Sequence, residues 1–338
     1  MRKFILKVTI FLFILGLVFS PVILSDPFKV FRDYDNFYQN SMIGINREMV
    51  CFKLFARNND KYHYDSFILG NSRSQAYKIE SWENYLPEGS TGFHFDASGD
   101  GLYGIYNKLK YIDKSGNDIS NALIILDDKA MNCVSNKTGQ LYISPPELSN
   151  ESYIDYYLTF ITASIDHEFL TAYVDYSIFN TYRPYMENIF CEPTRYKSNS
   201  NNITGDYFYS ADQWISEDKK GYYERLISKG IFYDRTEKVS QNQEIKPEEI
   251  DLLQKIASIL KKHNTDYRIV ISPLYDQVPF NSERMDNLVK IFGSEHIFDY
   301  SGKNEFTESI YNYYEDSHYR PHVAEAIMRE IYAEGNRN

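Results

Sequence analysis

The sequence predicts a three-layer α/β sandwich around a mainly parallel sheet, with an N-terminal transmembrane helix before it and a long insertion within it. Continuous apolar runs at Phe67-Ile68-Leu69, Ala122-Leu123-Ile124-Ile125-Leu126 and Ile269-Val270-Ile271 alternate with segments of helical period. Runs without polar alternation mark strands buried on both faces, as in a parallel sheet covered by its crossover helices. The chain has 338 residues, 43% hydrophobic and 25% charged, which is enough to bury a sizeable core.

The first element is the apolar stretch Phe4 to Leu24, broken only by Lys7, Thr9 and Ser20 and preceded by Met1-Arg2-Lys3. Its length suits a bilayer span with Lys7 snorkelling to the interface. The basic start, with no matching basic cluster after Leu24, predicts a cytoplasmic N-terminus and an extracytoplasmic body. A cleaved signal peptide is the competing reading, and the lack of a small-x-small site before Leu24 weighs toward a retained anchor. The expected organisation is an anchor over 1–25, a juxtamembrane stalk over 26–63 with a helix near Ile45 to Ala56, and one α/β domain over 64–335.

Within that domain the order is a strand at Phe67-Ile68-Leu69, a helix beginning near Arg73, a short strand around Phe93-His94-Phe95, a helix from Leu102 to Ile112, and the strand ending at Leu126. The pattern resumes at Pro247-Glu248-Glu249, where proline in the first turn and acids at the positive end of the dipole open a helix. A strand halted by Pro273, a helix near Glu283 to Phe292, the strand Ile297-Phe298-Asp299 and a last helix from Pro321 to Tyr332 follow. Between the halves, about 132–243, the sequence is rich in tyrosine and asparagine. Such an insertion serves as a lid or substrate platform, or its tyrosines simply pack it against the sheet.

Composition excludes some functions. A formal net charge of −11 with no basic concentration argues against nucleic acid as a partner. Cys51, Cys133 and Cys191 are widely spaced, so they form neither a disulfide framework nor a zinc site. His318 and His322 stand four apart, but Pro321 puts His318 ahead of the helix and no third ligand joins them. No metal and no cofactor is expected.

The chemistry-bearing features are two. In Ser66-Phe67-Ile68-Leu69-Gly70-Asn71-Ser72-Arg73-Ser74, a buried strand stops at a glycine and delivers a serine to the next helix, whose free N–H groups offer an oxyanion donor. The plain alternative is that Ser72 or Ser74 caps that helix. The second is Glu315-Asp316-Ser317-His318, a polar loop ahead of the final helix. A histidine oriented by a carboxylate is the base that a serine nucleophile requires, and either Glu315 or Asp316 suits that role. Arg73, beside the serine, is either a fork for an acceptor's carboxylate or phosphate or an exposed first-turn arginine.

On these residues the chain resembles the SGNH (GDSL-like) hydrolases: Gly70-Asn71-Ser72 stands in place of the family's Gly-Asp-Ser block, and Glu315-Asp316-Ser317-His318 in place of its Asp-x-x-His block. The resemblance covers about 64–132 and 246–332. It implies a flavodoxin-like sheet, Ser72 as nucleophile, His318 as base, Glu315 or Asp316 as orienting acid, and an amide of Gly99, or else Gly101, as second oxyanion donor. The family's Gly-x-Asn-Asp block is not visible after Leu126, where Asp127-Asp128-Lys129 stands; Asn132 is the substitute to examine. With its anchor and exported body, the chain looks most like members linked to alginate O-acetylation and teichoic acid D-alanyl transfer. The implied function is an esterase or O-acyltransferase on a cell-surface glycan, partnered by a membrane-bound acyltransferase. The alternative is a noncatalytic tethered scaffold or glycan-binding protein.

Overall fold

The computed structural model describes residues 1–39, 41–190, 199–236 and 244–333, and within the first helix it leaves the side chains of residues 3, 8 and 11–19 undescribed. Cys191 and parts of the insertion lie outside the described residues.

The core is a five-stranded sheet in which every pairing is parallel, built from β1 (Ser66–Gly70), β2 (Gly92–Asp96), β3 (Asn121–Leu126), β6 (Asp266–Ile271) and β7 (Ile297–Asp299) in the order β2-β1-β3-β6-β7. Two antiparallel ribbons lie outside it: β4 (Asn199–Ser200) with β5 (Tyr207–Phe208), and β8 (Tyr313–Glu315) with β9 (His318–Tyr319). Counting the main sheet alone, the order is 2-1-3-4-5, the doubly wound arrangement whose direction of winding reverses between β1 and β3.

The apolar runs divide by the period of two that a strand imposes. Phe67, Leu69, Ala122, Ile124, Leu126, Ile269 and Ile271 point into one core, while Ile68, Leu123, Ile125 and Val270 point into the other. The first core is covered by helices Arg47–Tyr62, Leu102–Lys114, Pro247–Lys262 and Ser282–Phe292, the second by Ile79–Glu83 and Pro321–Ile331. The three-layer α/β expectation therefore holds for the body.

Two expectations change. The segment 26–63 is not a stalk: Asn46 caps the helix Arg47–Tyr62, which buries Met49, Val50, Cys51, Leu54 and Phe55 in the first core. Arg47 and Glu48 in its first turn are also buried, charges that sequence patterning assigns to solvent. The expected helix after Ser72 is a short 3-10 turn, Ser72–Ala76, because Tyr77 and Lys78 leave helical geometry before the helix Ile79–Glu83 begins.

The insertion divides in two. Helices Tyr153–Ile165 and His167–Phe179 form a hairpin packed on Phe28 and Val30, with Ile154, Ile178 and Phe179 among its exposed residues. Helices Ala211–Glu217 and Lys219–Ser228 instead join the second core, where Tyr222 and Tyr223 donate to the carbonyls of Tyr314 and Tyr313 at 2.8 Å each. Those tyrosines serve packing. Residues Arg2–Ser25 form one helix of 24 residues, ended by Asp26, whose carboxylate accepts from the amides of Val30, Phe31 and Arg32. Among the described residues no helix is long and apolar enough to cross a membrane.

Candidate active site

The strand β1 ends at Gly70, whose φ of +151° and closeness to β3 both require glycine: a Cβ there would stand 2.7 Å from the carbonyl oxygen of Ile125. The chain turns at Asn71, which accepts from the Arg73 amide at 3.0 Å and donates to Asp127 Oδ2 at 2.7 Å. Ser72 therefore emerges at the C-terminal edge of the sheet, beside the crevice where winding reverses and where open α/β sheets bind ligands.

His318 arrives on the β8–β9 hairpin. Asp316-Ser317 forms its two-residue tip, so Glu315 and His318 are paired directly across the strands. Glu315 Oε1 contacts His318 Nδ1, Glu315 Oε2 accepts from the Ser317 amide at 2.9 Å, and His318 Nε2 lies 2.7 Å from Ser72 Oγ. Burial acts to raise the Glu315 carboxyl, but its bonds to His318 and the Ser317 amide hold it below the usual range. Asp316 is exposed at the tip; burial and the neighbouring Glu315 push it up. Of the two acids left open by the sequence, Glu315 is the one on the histidine. Tyr209 from the insertion packs against the His318 ring with centroids 5.6 Å apart.

A cavity of about 330 Å³ opens over this array, lined by Ser72, Gln75, Ser98 and His318 and walled by Tyr38, Tyr142, Tyr207 and Tyr209. Gly99 and Gly101 do not line it; they belong to a neighbouring space with Lys137 and Cys133. The Gly101 amide is already donated to Asp100 Oδ1 at 2.8 Å, and Gly101 is glycine because a Cβ would fall 2.2 Å from the Ala130 carbonyl oxygen. From the loop after β2 it is Ser98 that reaches the cavity. Asn132 is absent from the lining as well: its Oδ1 accepts from Arg284 at 2.7 Å and its Nδ2 donates to the Asp128 carbonyl at 3.0 Å.

Arg73 is neither exposed nor free for an acceptor. Its guanidinium binds Asp127 Oδ2 at 2.6 Å and the Ser317 carbonyl at 3.1 Å, with the side chain 11% exposed. It clasps the serine turn, the end of β3 and the histidine hairpin together. Burial acts to raise the Asp127 carboxyl, but Arg73, Asn71 and the Ala130 amide outweigh it and keep it low. Asp127 is thus a structural anchor for the turn.

Sequence reading missed the charged layer beneath the cavity. Asp96, at the end of β2, is bound by Arg47 Nε at 2.8 Å and by Gln75 at 2.6 Å; Arg47 also donates to the Gly205 carbonyl. Burial opposes ionisation of Asp96, yet Arg47 and His94 hold its carboxyl far below the usual range. Beside it, His94 Nε2 meets Ser74 Oγ at 3.0 Å and His94 Nδ1 meets Asp206 Oδ1 at 3.1 Å, all three residues being buried. No protein-family model matches the chain, and no curated protein matches it.

Proposed function

We propose that this chain is an extracytoplasmic, serine-dependent acyl-ester enzyme of the SGNH kind, acting as a hydrolase or as an O-acyltransferase to a glycan hydroxyl. The observation that carries the reading is the unbroken contact Ser72–His318–Glu315 at the mouth of an open cavity.

In the proposed reaction Ser72 Oγ attacks an ester carbonyl while His318 Nε2 takes its proton, and Glu315 offsets the charge that forms on the imidazole. The oxyanion is held by backbone donors of the Ser72 turn and of the Ser98 region. Collapse expels the alcohol, which leaves with the proton from His318, and an acyl group remains on Ser72. Water then releases the acid, or a sugar hydroxyl takes the acyl group, each giving its proton to His318 first. A transferase would draw its acyl group from a membrane-bound acyltransferase. The membrane anchor rests on the sequence of Phe4 to Leu24 alone, an apolar run whose length suits a bilayer span.

One observation favours a second reading, a noncatalytic scaffold: Asn132 is held by Arg284 and supplies no side-chain donor to the cavity. Loss of one such donor costs on the order of 10²–10³ in rate. The test is hydrolysis of a short-chain aryl ester by the full chain in detergent, beside Ser72→Ala. Turnover that Ser72→Ala abolishes supports the enzyme. Turnover that survives removes Ser72 as nucleophile, and none in the folded wild type leaves the scaffold.

A further inference from the structure

The cavity over Ser72 does not stand alone. A second cavity of about 800 Å³ adjoins it, and the two have Ile43, Gly44 and Leu141 in common. Leu141 packs on Gly44 so closely that a Cβ there would stand 3.0 Å from its Cδ2, which makes this pair the low wall between the two spaces. Beyond the wall the second cavity runs over the helical hairpin Tyr153–Ile165 and His167–Phe179. Together they provide an extended bed leading to the serine, suited to a chain-like ligand rather than a single small ester.

The charge of that bed is one-sided. Asp155, Asp166 and Glu168 line the second cavity, and among the described residues no lysine or arginine does; none occurs in the sequence from residue 138 to residue 182. The cations near Ser72 are committed elsewhere: Arg47 to Asp96, Arg73 to Asp127, Lys78 to the carbonyls of Gln75 and Tyr207, and Lys137 to the carbonyl of Gly99. A polyuronate or phosphate polymer would bring negative charge to these carboxylates, with no described lysine or arginine in the lining of the second cavity to receive it. What the lining does offer is hydroxyl and amide groups of Thr159, Thr162, Gln140 and Asn188, set between the apolar faces of Leu158 and Ile189. That alternation matches a sugar ring, polar at its rim and apolar on its C–H faces.

We infer that the second cavity is a row of subsites for an uncharged, hydroxyl-bearing glycan chain whose acylated or accepting unit lies at Ser72. The inference deepens the acyl-ester reading and rests on it for the position of the reacting unit.

The test is isothermal titration calorimetry on the full chain in detergent carrying Ser72→Ala, which prevents turnover. The probes are cellopentaose and chitopentaose, both uncharged, against an oligogalacturonate of five units. At least one neutral pentamer is expected to bind, with an affinity that stays level as salt is raised, while the galacturonate binds at least tenfold more weakly. Thr162→Trp in the same background, which pushes a large ring into the second cavity, is expected to weaken the neutral pentamer at least tenfold. Stronger binding of the galacturonate, no binding of either neutral pentamer, or indifference to Thr162→Trp overturns the inference. Aryl-ester turnover by the wild type separates the two claims: turnover without pentamer binding removes only the glycan bed, and pentamer binding without turnover removes only the enzyme.

Discussion

Two serine–histidine–carboxylate arrays share one turn of this chain. Ser72, His318 and Glu315 sit partly exposed at the rim of a cavity; Ser74, His94 and Asp206, which begin only two residues away, are sealed inside. Distance does not tell them apart, since serine oxygen and histidine nitrogen are 2.7 Å apart in the first and 3.0 Å in the second. What separates them is access and the serine proton. Ser74 Oγ donates its single hydrogen to the Asn71 carbonyl at 2.8 Å, so His94 has no proton to take from it and no ester can reach it. The buried array ties β2, the serine turn and the insertion together, and a relay becomes a reactive site only where its hydroxyl is free and open to a substrate.

The largest expected effect follows from that contrast. Ser72→Ala should lower aryl-ester turnover by about 10⁴-fold or more while Tm stays near the wild-type value. Ser74→Ala should do the reverse: it leaves a buried histidine nitrogen unpaired, lowering stability by about 1–3 kcal/mol in urea unfolding. If both variants lose turnover equally with unchanged stability, the distinction between the arrays fails.

Next comes the acid. Glu315→Gln should reduce kcat on the order of 10³-fold, because the amide no longer offsets charge on His318, whereas Asp316→Asn should keep wild-type kcat. Equal losses would show that the exposed tip acid shares the role.

The layer beneath is expected to matter for stability rather than for chemistry. Arg47→Met strands the buried Asp96 carboxylate and should cost about 3–5 kcal/mol in urea unfolding. Because the folded Asp96 carboxyl is depressed, the stability it contributes is present above its unfolded pKa of about 3.9 and is lost as pH falls through its lower folded value. The advantage of wild type over Arg47→Met should therefore shrink on acidification below about pH 4.

The smallest effect concerns Lys78, whose amine burial pushes down to about 8, against the weaker pull of Asp206. A lysine depressed in the folded state costs stability below that value, and the cost is relieved as pH rises from about 8 towards its ordinary value of 10.5. Lys78→Met should thus gain most over wild type near pH 7, with the gap narrowing above pH 8, as read by thermal melts across that range.

The two halves of the exposed site were legible in sequence because each is local. Gly70-Asn71-Ser72 ends an apolar run, and Glu315 and His318 flank a two-residue hairpin tip, so spacing alone brings them together. The sheet was legible for the same reason, in apolar runs between helical segments. The buried layer was not. Arg47 reaches Asp96 across 49 residues and His94 reaches Asp206 across 112, separations at which no periodicity speaks. The helix expected near Ile45 to Ala56 is present as Arg47–Tyr62, but its place in the core was not legible, because its first-turn charge Arg47 pairs with Asp96 on a strand far along the chain. Arg73 misled in a similar way: its partners, Asp127 and Ser317, come from two distant loops.

The central claim is that only one of two neighbouring serines is a nucleophile. The direct measurement is to treat the folded full chain with a fluorophosphonate and map the adduct by mass spectrometry of its peptides. The account predicts a single adduct on Ser72, absent from Ser72→Ala and retained in Ser74→Ala. An adduct on Ser74, or an unlabelled Ser72 in folded protein, would contradict it.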